Sequence, residues 1–97
     1  MTKDNLNLTD YCVLYSFERS EQTGEIEFYF TNETAKHVVF EILGEDHKVI
    51  LTLEDKEFKP GGHLILFDSK QLANGVYYYQ LRSDNQKTLK RMNVMNL

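Results

Sequence analysis

The residues that could support catalysis or metal binding are few and scattered along this 97-residue chain. The three histidines, His37, His47 and His63, form neither a His-x-His nor a His-Glu-x-x-His motif. A zinc site needs about three protein ligands that converge in space. Isolated histidines on separate strands are more often surface or strand-end residues, so the sequence predicts no metal and no cofactor.

Other reactive groups also lack the neighbours that catalysis requires. The single cysteine, Cys12, lies in an apolar run, which favours a small buried side chain over a nucleophile. The acidic pairs Glu45-Asp46 and Glu54-Asp55 are expected beside turns and do not have the spacing of a calcium-binding loop. The sequence contains no nucleophile-elbow motif and no glycine-rich phosphate-binding motif. These residues therefore predict a protein without enzymatic activity.

The charge balance narrows the class of partner. The chain has 11 basic and 15 acidic residues and a formal net charge of −4, which argues against nucleic acid. Residues 82–97 carry four basic residues against the single acidic residue Asp84, and the basic ones are Arg82, Lys87, Lys90 and Arg91. One interpretation is that they protect an edge strand from pairing with other chains. The other is that a partner protein recognises them.

The length predicts one domain, with a poorly ordered extension over residues 1–9 and the domain over residues 10–97. The first residues lack the apolar stretch of a signal peptide. No run approaches the ~18 apolar residues of a membrane-spanning helix, so no membrane span is predicted. As written, the chain is expected in the cytoplasm, and the sequence leaves its oligomeric state open.

Alternation of apolar and polar residues recurs along the chain and predicts seven short β-strands. The clearest run places Ile26, Phe28 and Phe30 on one buried face. The predicted strands cover residues 11–17, 25–31, 37–43, 48–53, 63–67, 76–82 and 88–95. Turns repeated at intervals of roughly 8–12 residues are typical of a β-sandwich.

Residues 68–75 are predicted to form a corner, with one helical turn at most, where the chain passes between sheets. Tyr77 then opens the next strand, where a tyrosine corner would return its hydroxyl to the upstream backbone. Leu72 would fill the core beneath it, while Gly61, Gly62 and Gly75 would shape the turns. Alternatively, the tyrosines reflect only a preference for strands. We interpret the chain as an all-β, seven-stranded immunoglobulin-like β-sandwich with Greek-key connections.

Two segments of this corner region carry a more specific signal. Residues 61–68 read GGHLILFD, residues 72–81 read LANGVYYYQL, and Thr88 and Lys90 supply a T-x-K pattern in the last strand. From about residue 26 to residue 95 the chain resembles the immunoglobulin-like C-terminal sorting domains of type IX-secreted Bacteroidetes proteins, which are similar to a domain of the flagellar hook-capping protein. The chain departs from that family at residues 9–12, which read TDYC where the family usually has Pro-Asn-Pro.

The resemblance implies a non-catalytic protein–protein interaction module for secretion and surface attachment, with a final location at the cell surface or outside the cell. The alternative is a free-standing cytoplasmic adaptor or structural assembly subunit with the same fold. Because edge strands bind extended segments by adding a strand, the last strand is the favoured binding element. The candidate partner-binding residues are Tyr78, Lys90, Arg91, Met92 and Val94.

Overall fold

The computed structural model describes residues 11–19 and 24–96, and this part of the chain is almost entirely β-structure. The strands are β1 (Val13–Leu14), β2 (Glu18–Arg19), β3 (Glu25–Asn32), β4 (Lys36–Leu43), β5 (Val49–Phe58), β6 (Gly61–Asp68), β7 (Gly75–Ser83) and β8 (Gln86–Val94). A single 3-10 turn, Ser69–Gln71, follows β6. The extension predicted over residues 1–9 lies outside the described residues. None of the described helical structure has the length and apolar character needed to span a bilayer.

The described residues form two antiparallel sheets. In sheet A, β6 pairs with β3 along its whole length, so β1 and β2 share the opposite side of β3. Sheet B has the strand order β5–β4–β7–β8. The chain passes between the sheets at residues 33–35, 59–60 and 69–74, and the last of these is the predicted corner. An all-β fold of two packed sheets is therefore confirmed.

The inward faces of the two sheets meet in an aromatic core. The ring centroid of Phe28 lies 5.0 Å from that of Phe40 and 4.9 Å from that of Tyr79, which joins both sheets through one cluster. Each such ring pair contributes about 0.5–1.5 kcal/mol beyond the burial of its area. Other fully buried members of the core are Ile26, Phe30, Val38, Ile42 and Leu81. These positions follow the alternation that the sequence predicts.

The described residues form eight strands rather than the predicted seven, because only β1 falls within the first predicted strand (residues 11–17) and a further short strand, β2, follows it. Leu14 pairs with Phe30, whereas Glu18 pairs with Glu27, so the register along β3 shifts by one residue between the two strands. An extra residue reverses the face that later side chains occupy. Phe17 therefore packs toward the core while Tyr15 stays exposed, although simple alternation over the strand predicted at residues 11–17 would place both on one face.

Strand β5 extends beyond its prediction, to Phe58 rather than to residue 53. Glu54 and Asp55 consequently lie within a strand and pair with Phe40 and Val39, not beside a turn as expected. The polar run is accommodated because β5 is the outermost strand of sheet B, where charged side chains reach water. A register shift between Phe40 and Glu41 marks the point where the apolar half of the strand gives way to this polar half.

The corner between β6 and β7 has the geometry of a tyrosine corner. The hydroxyl of Tyr77 donates to the carbonyl oxygen of Ala73 at 2.7 Å, and Leu72 is buried beneath the turn. Gly75 opens β7 with a φ of 155°, a backbone conformation that side chains with a Cβ rarely adopt. The turn therefore depends on the Tyr77 hydroxyl, the buried Leu72 side chain and the Gly75 backbone, which all lie between positions 72 and 77.

Candidate protein-binding surfaces

Strand β8 is the last strand of sheet B, and its pairing with β7 runs from Gly75–Val94 to Ser83–Gln86. The described residues place no strand against its other side. An unpaired row of backbone N–H and C=O groups can accept an extended segment from another protein. The prediction that the last strand forms an edge of its sheet agrees with the observed strand order, in which β8 pairs, within the described part of the chain, only with β7.

The structure separates the candidate residues of β8 into two faces. Met92 is 2% exposed and Val94 is 1% exposed, so both side chains belong to the core, and only their backbone groups are available at the edge. The side chain of Lys90, two positions before Met92, lies on the same face and is half-buried. Arg91 points to the opposite face and is exposed. A partner on the outer face of sheet B would therefore meet Arg91 rather than Met92 or Val94.

Tyr78 and Arg91 are brought together as cross-strand partners on that outer face. The ring of Tyr78 is half-buried and packs edge-on against the imidazole of His47, with centroids 4.3 Å apart. His47 itself has a φ of 67° in the β4–β5 hairpin, which turns its ring back over the sheet. Tyr78 is thus held by the hairpin, and its exposed part lies beside Arg91.

A buried polar network lies on the same outer face of sheet B, and the sequence pattern did not predict it. Glu41 is only 4% exposed although its side chain lies on the outer side of sheet B. Its Oε1 accepts from Arg82 Nε at 2.9 Å and from Gln80 Nε2 at 3.0 Å, and its Oε2 accepts from Arg82 Nη2 at 3.0 Å. The two-pronged Arg82 contact is the stronger type of charged hydrogen bond.

The hydrogen bonds from Arg82 and Gln80 hold the pKa of the Glu41 carboxyl below its ordinary value, although burial opposes them. The pKa of Arg82 is raised by the same contact, mainly through its hydrogen bond to Glu41. The directions for the two partners agree, so the pair is ionised near neutral pH. With both carboxylate oxygens engaged, Glu41 serves as a fixed anchor for Arg82 and not as a free base.

These side chains line a shallow concave region of about 450 Å³ across sheet B. Arg82 and Lys87 make one part of the lining cationic, while Val49 and Leu89 supply apolar surface. Such a mixture suits an extended segment that carries both acidic and apolar residues. The sequence hints at this polar network, because Glu41 and Gln80 are each a polar residue inside an apolar run. Their pairing could not be predicted, since it depends on the register between β4 and β7, which the local pattern does not specify.

The histidines lie apart from one another. His37 is exposed and contacts Asp55, whereas His47 belongs to the hairpin. His63 Nε2 lies 2.9 Å from Asn32 Oδ1 and 2.7 Å from the Lys59 carbonyl oxygen. Across residues 11–19 and 24–96, no group of three or more His, Cys, Asp or Glu side chains is arranged to hold a metal ion.

The residues after β8 are tied back to the corner. Asn96 Nδ2 donates to the carbonyl oxygens of Leu72 at 2.9 Å and Ser69 at 3.1 Å, and its backbone N–H donates to Asn74 Oδ1 at 2.7 Å. The Met95 carbonyl oxygen accepts from Arg19 Nη2 at 2.8 Å. The corner residues and the end of β8 therefore form one connected unit.

The chain matches no protein-family model and no curated protein sequence.

Proposed function

We propose that this protein is a non-catalytic protein–protein interaction module, built as an immunoglobulin-like sandwich, that binds an extended segment at β8. The observation that carries the proposal is the edge position of β8, a strand held by buried Met92 and Val94 on one face and exposing Arg91 on the other. Added strands gain affinity from backbone hydrogen bonds and specificity from alternate side chains.

The distribution of strands supports the immunoglobulin-like assignment. Strands β3 and β6 lie in one sheet, and β4, β7 and β8 in the other, which corresponds to the B and E strands against the C, F and G strands of such sandwiches. The hydrogen bond from Tyr77 to Ala73 stands at the start of the strand equivalent to F. The crossings between sheets are consistent with Greek-key connections.

The charges on sheet B indicate the chemistry of the segment. Lys87 and Arg91 project from β8 on the outer face, where Lys87 is the cross-strand neighbour of Arg82. Opposite charge across an interface increases the association rate and fixes register. The proposed ligand of β8 is therefore an extended segment that places acidic side chains beside Lys87 and Arg91 and an apolar side chain beside Leu89. Because Glu41 already neutralises Arg82, Lys87 and Arg91 contribute most of the free positive charge.

Two biological roles remain proposals for such a module. In the sorting role implied by the resemblance, the segment belongs to a secretion machine, and the protein reaches the cell surface or the medium. In the adaptor role, the segment belongs to a cytoplasmic assembly. Fractionation of native cells with detection of the untagged protein distinguishes them. Recovery from the membrane and medium fractions supports sorting, whereas recovery only from the cytosol supports the adaptor.

Charge reversal on β8 tests the binding mode itself. The variant K87E/R91E should lose the partners that wild-type protein captures from native cells, as quantified by mass spectrometry. The matched control is K56E, which reverses an exposed charge on the other edge of sheet B, β5. Capture that survives K87E/R91E, or falls equally with K56E, would overturn the assignment to β8. Truncation is less informative, because removing residues 93–97 takes away buried Val94 and the hydrogen bonds of Asn96.

A further inference from the structure

The outer strands of the two sheets differ in whether charged residues protect them from pairing with other chains. Strand β5 carries the charged run Glu54–Glu57, and β8 carries Lys87, Lys90 and Arg91. Strand β6 also has one side on which the described residues place no strand, yet its residues from Gly61 to Phe67 include no Asp, Glu, Lys, Arg or Pro. Natural proteins usually block such an edge with charge or proline. The charges on β5 and β8 therefore restrict pairing at those edges to segments of complementary charge, whereas the β6 edge carries no charge from Gly61 to Phe67.

The outward side chains of β6 are apolar as well. Leu64 and Leu66 are each 54% exposed. Leu64 adjoins an apolar surface on the outer face of sheet A that includes Tyr29, Tyr15 and Val13, whereas the cross-strand neighbour of Leu66 is Glu27. The rings of Tyr15 and Tyr29 lie with their centroids 5.4 Å apart. A contiguous apolar surface next to an open edge is typical of an interface. On the outer face of sheet B, by contrast, the exposed apolar residues Val49 and Leu89 lie among the charged residues Arg82 and Lys87.

We infer that β6 is the interface between two copies of this chain, which pair antiparallel through their β6 strands about a two-fold axis at Ile65. The central sequence Leu64-Ile65-Leu66 reads the same in both directions, so each Leu64 faces the partner copy's Leu66 on the outer surface. Ile65 faces Ile65 of the second copy on the inner surface. Two-fold pairing is the commonest symmetry of soluble oligomers, and it requires such a self-complementary patch.

Charge favours a second copy as the occupant of this edge. A copy of β6 brings no charged side chain to the centre of the interface, and the charge of Asp68 lies at the end of the strand. In the proposed register, each Asp68 faces the partner copy's Gly62, so the two carboxylates stand at opposite ends of the paired strands. Pairing β8 with a second β8 would instead place Lys87, Lys90 and Arg91 against like charges, which is unfavourable.

Sedimentation of the full chain over a range of concentrations tests the inference. Wild-type protein should approach twice the chain mass of 11.4 kDa, and L64K/L66K should raise the dissociation constant at least about tenfold. The control L89K replaces an exposed leucine on β8 and should leave the dimer intact. A wild-type protein that stays monomeric, or a dimer unaffected by L64K/L66K, overturns the inference. A dimer that L89K weakens equally overturns it too.

A mixing experiment separates loss of pairing from loss of folding. The variants L64K/L66K and L64E/L66E should each be monomeric, because like charges face one another in the two-fold pair. Mixed in equal amounts, they should form a heterodimer whose stability falls as salt rises. Failure of the mixture to associate, when thermal unfolding shows both variants folded, would overturn the proposed register.

Discussion

Asn96 and Ser69 hold each other in a reciprocal pair of hydrogen bonds. Asn96 Oδ1 accepts from Ser69 Oγ at 2.9 Å, while Asn96 Nδ2 donates to the Ser69 carbonyl oxygen at 3.1 Å. Ser69 is fully buried, and its hydroxyl also lies 2.7 Å from the carbonyl oxygen of Gly24. This pair connects Asn96, two residues beyond β8, with the turn between the sheets and with the residue before β3. The end of the described chain is thus part of the fold's corner.

We expect N96A to lower the free energy of unfolding by about 1–3 kcal/mol, because the Ser69 hydroxyl and the carbonyl oxygens of Ser69 and Leu72 each lose a hydrogen bond to Asn96. The control N93A removes an exposed asparagine from β8 and should change stability by less than about 0.5 kcal/mol. Urea unfolding followed by far-UV circular dichroism measures both. Equal stability of N96A and N93A would contradict a structural role for the Asn96–Ser69 pair.

Removal of the Tyr77 hydroxyl should weaken the corner. Because Y77F loses the 2.7 Å hydrogen bond to the Ala73 carbonyl oxygen, the free energy of unfolding should fall by about 0.5–1.5 kcal/mol. The control Y78F removes the hydroxyl of the adjacent tyrosine, for which the described part of the chain supplies no hydrogen-bond partner. Chemical denaturation of both variants measures the difference, and a Y77F protein as stable as Y78F would count against the tyrosine corner.

Much of the fold follows from local chemistry and was predictable. Alternation in β3 marks its buried face, and the hairpin at residues 83–86 follows from polar turn residues between two strands. The corner before Tyr77 was also readable, because a glycine, an apolar plug and a tyrosine stand at fixed spacing. These features depend on residues only a few positions apart, so they can be predicted without knowledge of the tertiary structure.

Features that depend on register between distant strands were not predictable in this way. The extra residue between β1 and β2 is invisible in the sequence, since residues 11–17 alternate without interruption. Glu41 and Arg82 are 41 positions apart, and their contact exists only because β4 and β7 pair as neighbours in one sheet. The open edge of β6 likewise appears only once its single partner strand is known.

The Glu41–Arg82 pair should make stability depend on acid. Because the folded-state pKa of Glu41 lies below its ordinary value of 4.5, its contribution is complete above that pH and is lost as pH falls through the lower folded value. We expect E41Q to cost about 1–3 kcal/mol near neutral pH and progressively less in acid. Urea unfolding of wild type and E41Q at decreasing pH measures this, with E57Q on the exposed edge of β5 as control. A constant difference across the series would contradict the ionised pair.

Gly62 and Tyr29 should show a reversal of sign in a double-mutant cycle. A Cβ at Gly62 would collide with the ring and hydroxyl of Tyr29, so G62A should destabilise the wild-type protein by about 1 kcal/mol or more. In the Y29A background the space is free, and G62A should stabilise by about 0.5–1 kcal/mol, because alanine restricts the unfolded chain. The control G61A should destabilise in both backgrounds, since Gly61 has a φ of 133°. Chemical unfolding of the four proteins of the cycle at low concentration measures the coupling energy. If G62A also destabilised the Y29A protein, the contact with Tyr29 would not be the reason that position 62 requires glycine.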